Sequence, residues 1–335
     1  MPTILINLPD DTIRRVFAAH DDFAVLRAAG ADITRFDPRT DDAANFPDRL
    51  ARADAVLTGW GSRPITPGDL SGRDDRPLLI AHAAGSVRGV CPKETLNAPG
   101  VRLTQSSAPM AVSVAQFTVG LMILGARQSL ARAAALKTGE NYAGVFAYQD
   151  LTGLTIGLVG LSQVGRRVPP LLAPFAPGAV LAYDPYASQE MARTLGVTLT
   201  PNVDDLLARS DIVSLHAPVT EETKGLLDAR RVGLLRAGAL VVNTARPQIV
   251  DQDALLARAG AGEIEYYTDV TTPEPLPPGH PAFASPHVFV TPHIAGPTRQ
   301  TNEKIGRHAV AEIVRFLQNQ PLETEVTADR YDVLA

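Results

Sequence analysis

The chain has 335 residues, which is length for two domains of ordinary size. Hydrophobic residues make up 45% and charged residues 20%, a balance that excludes both a disordered chain and a bundle of membrane spans. With 31 basic residues against 36 acidic ones the net charge is −5, which argues against a sequence-independent grip on nucleic acid or anionic lipid and leaves small molecules or proteins as partners.

Apolar runs begin at Thr3, Ala55 and Leu78, and each reads as a buried strand followed by a longer helical pattern. No basic stretch precedes the first run and no cleavage pattern follows it, so an export signal is not expected. Cys91 is the single cysteine, which excludes an intrachain disulfide and a cysteine-based zinc cluster. A reducing, cytoplasmic setting is expected. Ser106 to Pro109 offer helix-capping hydroxyls and an early proline, and mark a crossing between domains. The uncharged stretch from Met110 to Ala126 contains Ser113, Gln116 and Thr118 and runs into Arg127, so a buried helix is expected rather than a membrane span.

Further apolar runs start at Thr155, Ala179, Asp211, Ala239 and His287. Their continuous rather than alternating hydrophobicity is that of parallel strands covered on both faces. Between the first two, Pro169, Pro170, Pro174 and Pro177 fall where a helix should run, so that helix should be kinked or short. A second crossing is expected near Gly296 and Pro297. Beyond it, Thr298 to Gln318 forms an amphipathic helix with Ile305, Ala309, Ile313 and Phe316 on one face. The fold class expected is α/β, with two Rossmann-like domains built on mostly parallel sheets. Residues 1–105 plus 297–335 form a discontinuous domain, and residues 106–296 form a domain inserted within it.

The segment GLVGLSQVG, residues 157–165, stands between a strand and a helical pattern, the place of a dinucleotide fingerprint. Gly160 and Gly165 supply the tight turn and the helix–strand contact, while Ser162 occupies the middle glycine position. A plain strand-to-helix turn is the alternative. Asp184 follows Gly160 by 24 residues, at the end of the next strand. An acid there accepts hydrogen bonds from the ribose hydroxyls of NAD and repels the 2′-phosphate of NADP, and no arginine follows it. An Asp-Pro turn is the simpler reading. Arg246, Glu274 and His293 each lie just past a strand, where parallel sheets bind ligands. Eight of the 27 prolines fall between Thr271 and Pro297, so the segment presenting Glu274 and His293 should be rigid.

Together the motifs AHAAGSVRG (81–89), SLHAPVT (214–220), NTAR (243–246), DVTTPEP (269–275) and TPHIAG (291–296) resemble those of NAD-dependent D-2-hydroxyacid dehydrogenases. That family includes D-lactate and phosphoglycerate dehydrogenases and glyoxylate or hydroxypyruvate reductases. The resemblance implies a discontinuous substrate domain, a Rossmann-type cofactor domain inserted in it, an active site in the cleft, and a homodimer. It makes Arg246 the substrate-binding and polarising arginine, His293 the acid/base and Glu274 its partner. The substrate carboxylate falls to Gly85, Ser86 and Val87. Cofactor contacts fall to Gly160, Ser162, Gln163, Val164, Gly165, Asp184, His216, Ala217, Pro218, Thr244 and Asp269. Three positions depart from the family pattern: Ser162 for glycine, Pro247 where glycine usually follows the arginine, and Gln116 where glutamate is frequent.

The chemistry implied is hydride transfer from NADH to the C2 carbonyl of a 2-oxoacid, with Arg246 stabilising the carbonyl oxygen and His293 donating the proton; no metal is required. A carboxylate beside an imidazole favours its charged form, the role given to Glu274. Trp60, Arg63 and Arg88 are candidates for contact with the substrate side chain, each also readable as a surface residue. The sequence runs only a short way past its last helical pattern, so the extra regulatory domain of many phosphoglycerate dehydrogenases is not expected. Two alternatives stay open: an NADPH-dependent glyoxylate or hydroxypyruvate reductase, and a corepressor-like NAD-sensing interaction protein.

Overall fold

A computed structural model describes every residue except 18–20, 75, 138, 140–148 and 335. The chain divides into two compact units, one of Met1–Met110 with Pro297–Ala335 and one of Ala111–Gly296. The second is inserted in the sequence of the first.

The first unit holds five parallel strands: β1 (Thr3–Asn7), β2 (Asp32–Phe36), β3 (Ala55–Thr58), β4 (Leu78–His82) and β5 (Val101–Gln105), in the order β2-β1-β3-β4-β5. Ile4, Ile6, Leu57, Leu79 and Ala81 form one buried face, closed by Ile305, Ala309 and Ile313 of the helix Arg299–Leu317, as the periodicity predicts. Leu5, Val56, Ile80 and Leu103 form the other, with Phe46, Leu50, Val87 and Cys91 packed on them. The tail stays with this unit for a polar reason as well. The buried carboxylate of Glu312 accepts the N–H groups of Glu323 and Thr324, and Thr104 makes an antiparallel bridge to Glu325 on the free edge of β5.

The second unit holds seven parallel strands: β6 (Thr155–Val159), β7 (Ala179–Tyr183), β8 (Thr198–Leu199), β9 (Ile212–Leu215), β10 (Leu240–Asn243), β11 (Glu265–Thr268) and β12 (Val288–Val290). Their order, β12-β11-β10-β9-β6-β7-β8, reverses direction between β9 and β6. That reversal is the position at which doubly wound sheets leave a crevice at the strands' carboxyl ends. The helix Ser107–Ala126 is, among the described residues, the one long and apolar enough to cross a membrane by length and composition. Its residues Ala115, Val119 and Met122 pack into this unit's core with Ile156, Leu158 and Leu240.

The prolines after the glycine segment act as predicted. The helix shrinks to Val168–Leu172, flanked by single 3-10 turns at Gly165–Arg167 and Ala173–Phe175. Pro169 and Pro170 sit in its first turn, where no intrahelical N–H is needed.

Two helical glycines should respond to alanine in opposite senses. At Gly306 a Cβ would lie 2.6 Å from the Val16 carbonyl oxygen, where the last long helix meets Asp10–Phe17. Gly306→Ala should therefore cost about 1–3 kcal/mol in a urea melt. Gly120 has nothing within 4 Å of the added methyl, so Gly120→Ala should gain up to about 1 kcal/mol through helix propensity.

Candidate active site

The glycine segment is shaped by close backbone contacts. Gly160 has φ +96°, and a Cβ on it would lie 2.7 Å from the Ala217 amide nitrogen. A Cβ on Gly165 would lie 2.1 Å from the Gly160 carbonyl oxygen. The turn after β6 therefore packs directly on the turn after β9, at the sheet's reversal. The amides of Ser162, Gln163 and Val164 find no acceptor among the described residues, whereas Leu161 N–H donates to Asp184 Oδ2 at 2.7 Å. Asp184 Oδ1 accepts Tyr186 N–H at 2.8 Å. Asp184 thus ties a turn, as the simpler reading has it, and each oxygen keeps a lone pair for a further donor. Consecutive free amides with glycine-only packing behind them fit the diphosphate of a dinucleotide, and an acid at the end of β7 fits its ribose.

Around this segment, Ala217 is buried, and the turn continuing through Pro218 is fixed by Thr223 Oγ1 donating to the Pro218 carbonyl at 2.6 Å. His216 is buried, and neither ring nitrogen has a partner among the described residues. Thr244, just past β10, lies 2.7 Å from Thr118 Oγ1. Thr118 gives its proton to the Val114 carbonyl, so Thr244 is the donor in that pair.

The strand ends β10, β11 and β12 carry the reactive candidates. Arg246 follows β10, in a loop clamped by Asn243, whose Oδ1 accepts Ala245 N–H at 3.0 Å and whose Nδ2 donates to the Arg246 carbonyl at 3.1 Å. Arg246 is exposed overall, yet protein crowded about its guanidinium lowers its pKa while the Glu274 carboxylate opposes that shift. An arginine keeps its charge regardless. Pro247 is buried and opens a 3-10 turn, so proline takes the place of glycine here without disturbing the clamp.

Glu274 and His293 meet at 2.6 Å, Oε1 to Nδ1, with both side chains partly open to solvent. Gln252 holds the glutamate's loop, its amide giving and receiving hydrogen bonds with the Thr272 backbone at 2.8 and 2.9 Å. His293 has φ +54°, a left-handed conformation that histidine tolerates better than most residues. Asp269, 1% exposed, holds it there. Its carboxylate accepts Thr291 Oγ1, Ile294 N–H and Ala295 N–H at 2.5, 2.9 and 2.9 Å, and its carbonyl accepts His293 N–H at 3.1 Å. Asp269, which the family resemblance makes a cofactor contact, thus has its carboxylate engaged with the histidine's loop. Asn243, Gln252 and Thr118 escaped the sequence reading. Asn243 alone left a signal, as the polar end of an apolar strand.

In the first unit, Gly85 is half-buried and Ser86 exposed, and their amides find no acceptor among the described residues. Val87 is wholly buried in the core and anchors the turn with its side chain. Arg63 is engaged with Asp69 at 2.9 Å and lies over the Phe46 ring, a structural cation. Trp60 packs against the core under Arg15, and Arg88 donates to the Asp332 carbonyl.

The D-isomer specific 2-hydroxyacid dehydrogenase NAD-binding domain matches residues 119–295, more than half of the chain and wholly inside the second unit. The chain belongs to that family, and the matched unit is its NAD-binding domain. Among its relatives, D-3-phosphoglycerate dehydrogenase of Methanocaldococcus jannaschii is 28% identical over 280 residues, 83% of this chain and 52% of that one. Glyoxylate reductase of Thermofilum pendens is 31% identical over 226 residues, 66% of each chain. The chain spans about half the length of the phosphoglycerate dehydrogenases it matches. The fold is shared with D-mandelate dehydrogenase of Rhodotorula graminis, with a TM-score of 0.83 and 22% identity over 97% of both chains.

Two buried imidazoles make stability pH-dependent. Burial pulls His216 from 6.5 to about 3 and His82 from 6.5 to about 4. The unfolded chain therefore binds protons below pH 6.5 that the folded chain refuses, so stability is full above that value and is lost as pH falls toward 4. The loss should reach about 2 kcal/mol per ring between pH 6.5 and pH 5. Urea melts at about pH 7, 6 and 5 read it, and His216→Leu should flatten the slope.

Proposed function

We propose that the chain is an NAD-dependent oxidoreductase interconverting a 2-oxoacid and a D-2-hydroxyacid. The observation that carries it is the Glu274–His293 pair at 2.6 Å, held at the carboxyl ends of the parallel sheet beside Arg246. When bound, NADH supplies the hydride that reaches C2 of the 2-oxoacid. Arg246 presents a planar, permanently charged fork suited to a carboxylate and the adjacent carbonyl oxygen, where negative charge grows. Glu274 takes Nδ1–H of His293, which leaves Nε2 to hand over or receive the proton. Ser162, Gln163 and Val164 amides would hold the diphosphate, and Asp184 the adenosine ribose, which selects NADH over NADPH. Arg63 is already paired within its own unit, so a phosphate on the substrate finds no partner there, which favours an acid with a small or apolar side chain. A cytoplasmic homodimer belongs to the same proposal, supported by family resemblance and by the buried free thiol of Cys91.

Initial rates with glyoxylate, hydroxypyruvate, pyruvate and bulkier 2-oxoacids test it. Turnover of at least one is expected, with kcat/KM at least about tenfold better with NADH than with NADPH, a difference of about 1.4 kcal/mol. Reduction needs His293 protonated and oxidation needs it neutral, so the reductive rate should fall and the oxidative rate rise as pH increases. His293→Ala should lower kcat by about 10²–10⁴. Arg246→Lys should lose at least about tenfold although the charge is kept. An enzyme without turnover on any of these acids, or a His293→Ala protein with parental kcat, would sink the assignment.

A further inference from the structure

In the first unit the last residues of β1, β3, β4 and β5, which are Asn7, Thr58, His82 and Gln105, are all polar and buried. Thr58 stands opposite His82 in the sheet register, and His82 opposite Gln105. Asn7 has a local task, since its side chain bonds the Arg63 backbone at 2.8 and 3.2 Å. His82 reaches further. Its Nδ1 lies 3.0 Å from Thr58 Oγ1, and the ring also bonds the backbone of Ser86. Burial keeps this imidazole neutral, so it carries one donor and one acceptor and can serve two partners at once. An aliphatic residue would fill the same volume without the cost of burying polar nitrogens, so the histidine calls for a reason beyond packing.

The turn that follows β4 is anchored at both of its ends. Ala83 N–H donates to the Thr58 carbonyl at 2.7 Å, Ser106 N–H donates to the Ala84 carbonyl at 2.9 Å, and the Val87 side chain is buried in the core. Between these anchors stand the acceptor-free amides of Gly85 and Ser86.

We propose that His82 is a positioning residue: bridging the Thr58 hydroxyl and the Ser86 backbone, it holds the Gly85 and Ser86 amides in place for the carboxylate of the 2-oxoacid. This rests on the 2-oxoacid reading above. The imidazole touches neither substrate nor cofactor; it fixes the peptide groups that do the binding. Its loss therefore weakens the grip on the acid while leaving the hydride and proton steps intact.

Thr58→Val removes the hydroxyl with little change of shape, and Thr58→Ser keeps it. Thr58→Val should raise KM for the 2-oxoacid about tenfold, the size of one lost buried hydrogen bond of about 1.4 kcal/mol, with kcat and the KM for NADH within about twofold of the parent. Thr58→Ser should restore the parental KM, and His82→Leu should raise it further. Calorimetric titration with oxamate, an unreactive acid, in the presence of NADH reads the turn without turnover. A parent that reduces no 2-oxoacid yet binds oxamate about tenfold tighter than Thr58→Val does retains the positioning role and removes the oxidoreductase reading. Equal oxamate affinity and equal KM in the parent and Thr58→Val, with parental melting temperature and NADH affinity, overturn the role of His82. Should His82→Leu fail to fold, the Thr58 pair decides alone.

Discussion

Asp269 joins three strand ends through one residue. Its N–H donates to the Asn243 carbonyl at the end of β10, its carbonyl takes the His293 amide, and its carboxylate takes three donors from the segment after β12. Burying a charge this deeply is costly unless donors surround it, and here two of them are main-chain N–H groups with no freedom to turn away. Such charge-assisted bonds contribute about 1.5–3 kcal/mol each, enough to hold His293 in a backbone conformation that costs roughly 1–3 kcal/mol. The imidazole can meet Glu274 at 2.6 Å because its own backbone is not free to relax.

Asp184 works in the same way at the other end of the sheet, linking Leu161 of the glycine segment to the residues after β7. There the constraint is combined with steric necessity, because Gly160 and Gly165 sit where a single methyl would collide with main chain. The helix that follows is one turn and a half long, with two prolines in its first turn, so its dipole is small. An anion held here would rest on individual amides kept in place by Asp184 and the glycines. Ser162 in the middle position fits that arrangement: it adds a hydroxyl beside the free amides.

The sequence made the parallel strands with continuous apolar runs legible, because burial on both faces leaves that pattern and the runs are too short for a buried helix such as Ser107–Ala126. It concealed β2, β5, β8 and β11. The strand β11, Glu265–Thr268, reads as polar yet is buried throughout, since Glu265 is matched by His287 and Gln128, which lie far from it in the chain. A pairing of that kind has no local signature. For the same reason Arg246, Glu274 and His293 could be read from motif and position, whereas Asn243, Gln252 and Thr118 could not. Gln252 acts on backbone 20 residues away, Thr118 on a hydroxyl 126 residues away and Asn243 on the backbone of the loop just after it, and an amide or hydroxyl side chain carries no mark of such a partner.

Each reactive candidate in the second unit is thus matched by a second side chain that bonds mainly to main chain: Arg246 by Asn243, Glu274 by Gln252, His293 by Asp269, which also takes the Thr291 hydroxyl. A loop after a strand has few apolar contacts to define it, so its geometry must come from polar atoms with fixed direction. Main-chain groups supply direction at no rotamer cost, and a short side chain such as Asn or Asp loses little freedom in reaching them. Proline adds the rest, limiting φ between Thr271 and Pro297 so that few conformations compete with the one the hydrogen bonds select. The first unit reaches the same end with a histidine in place of an amide. A ring between Thr58 and Ser86 can span a gap that Asn would not, and it remains neutral because burial forbids the charge.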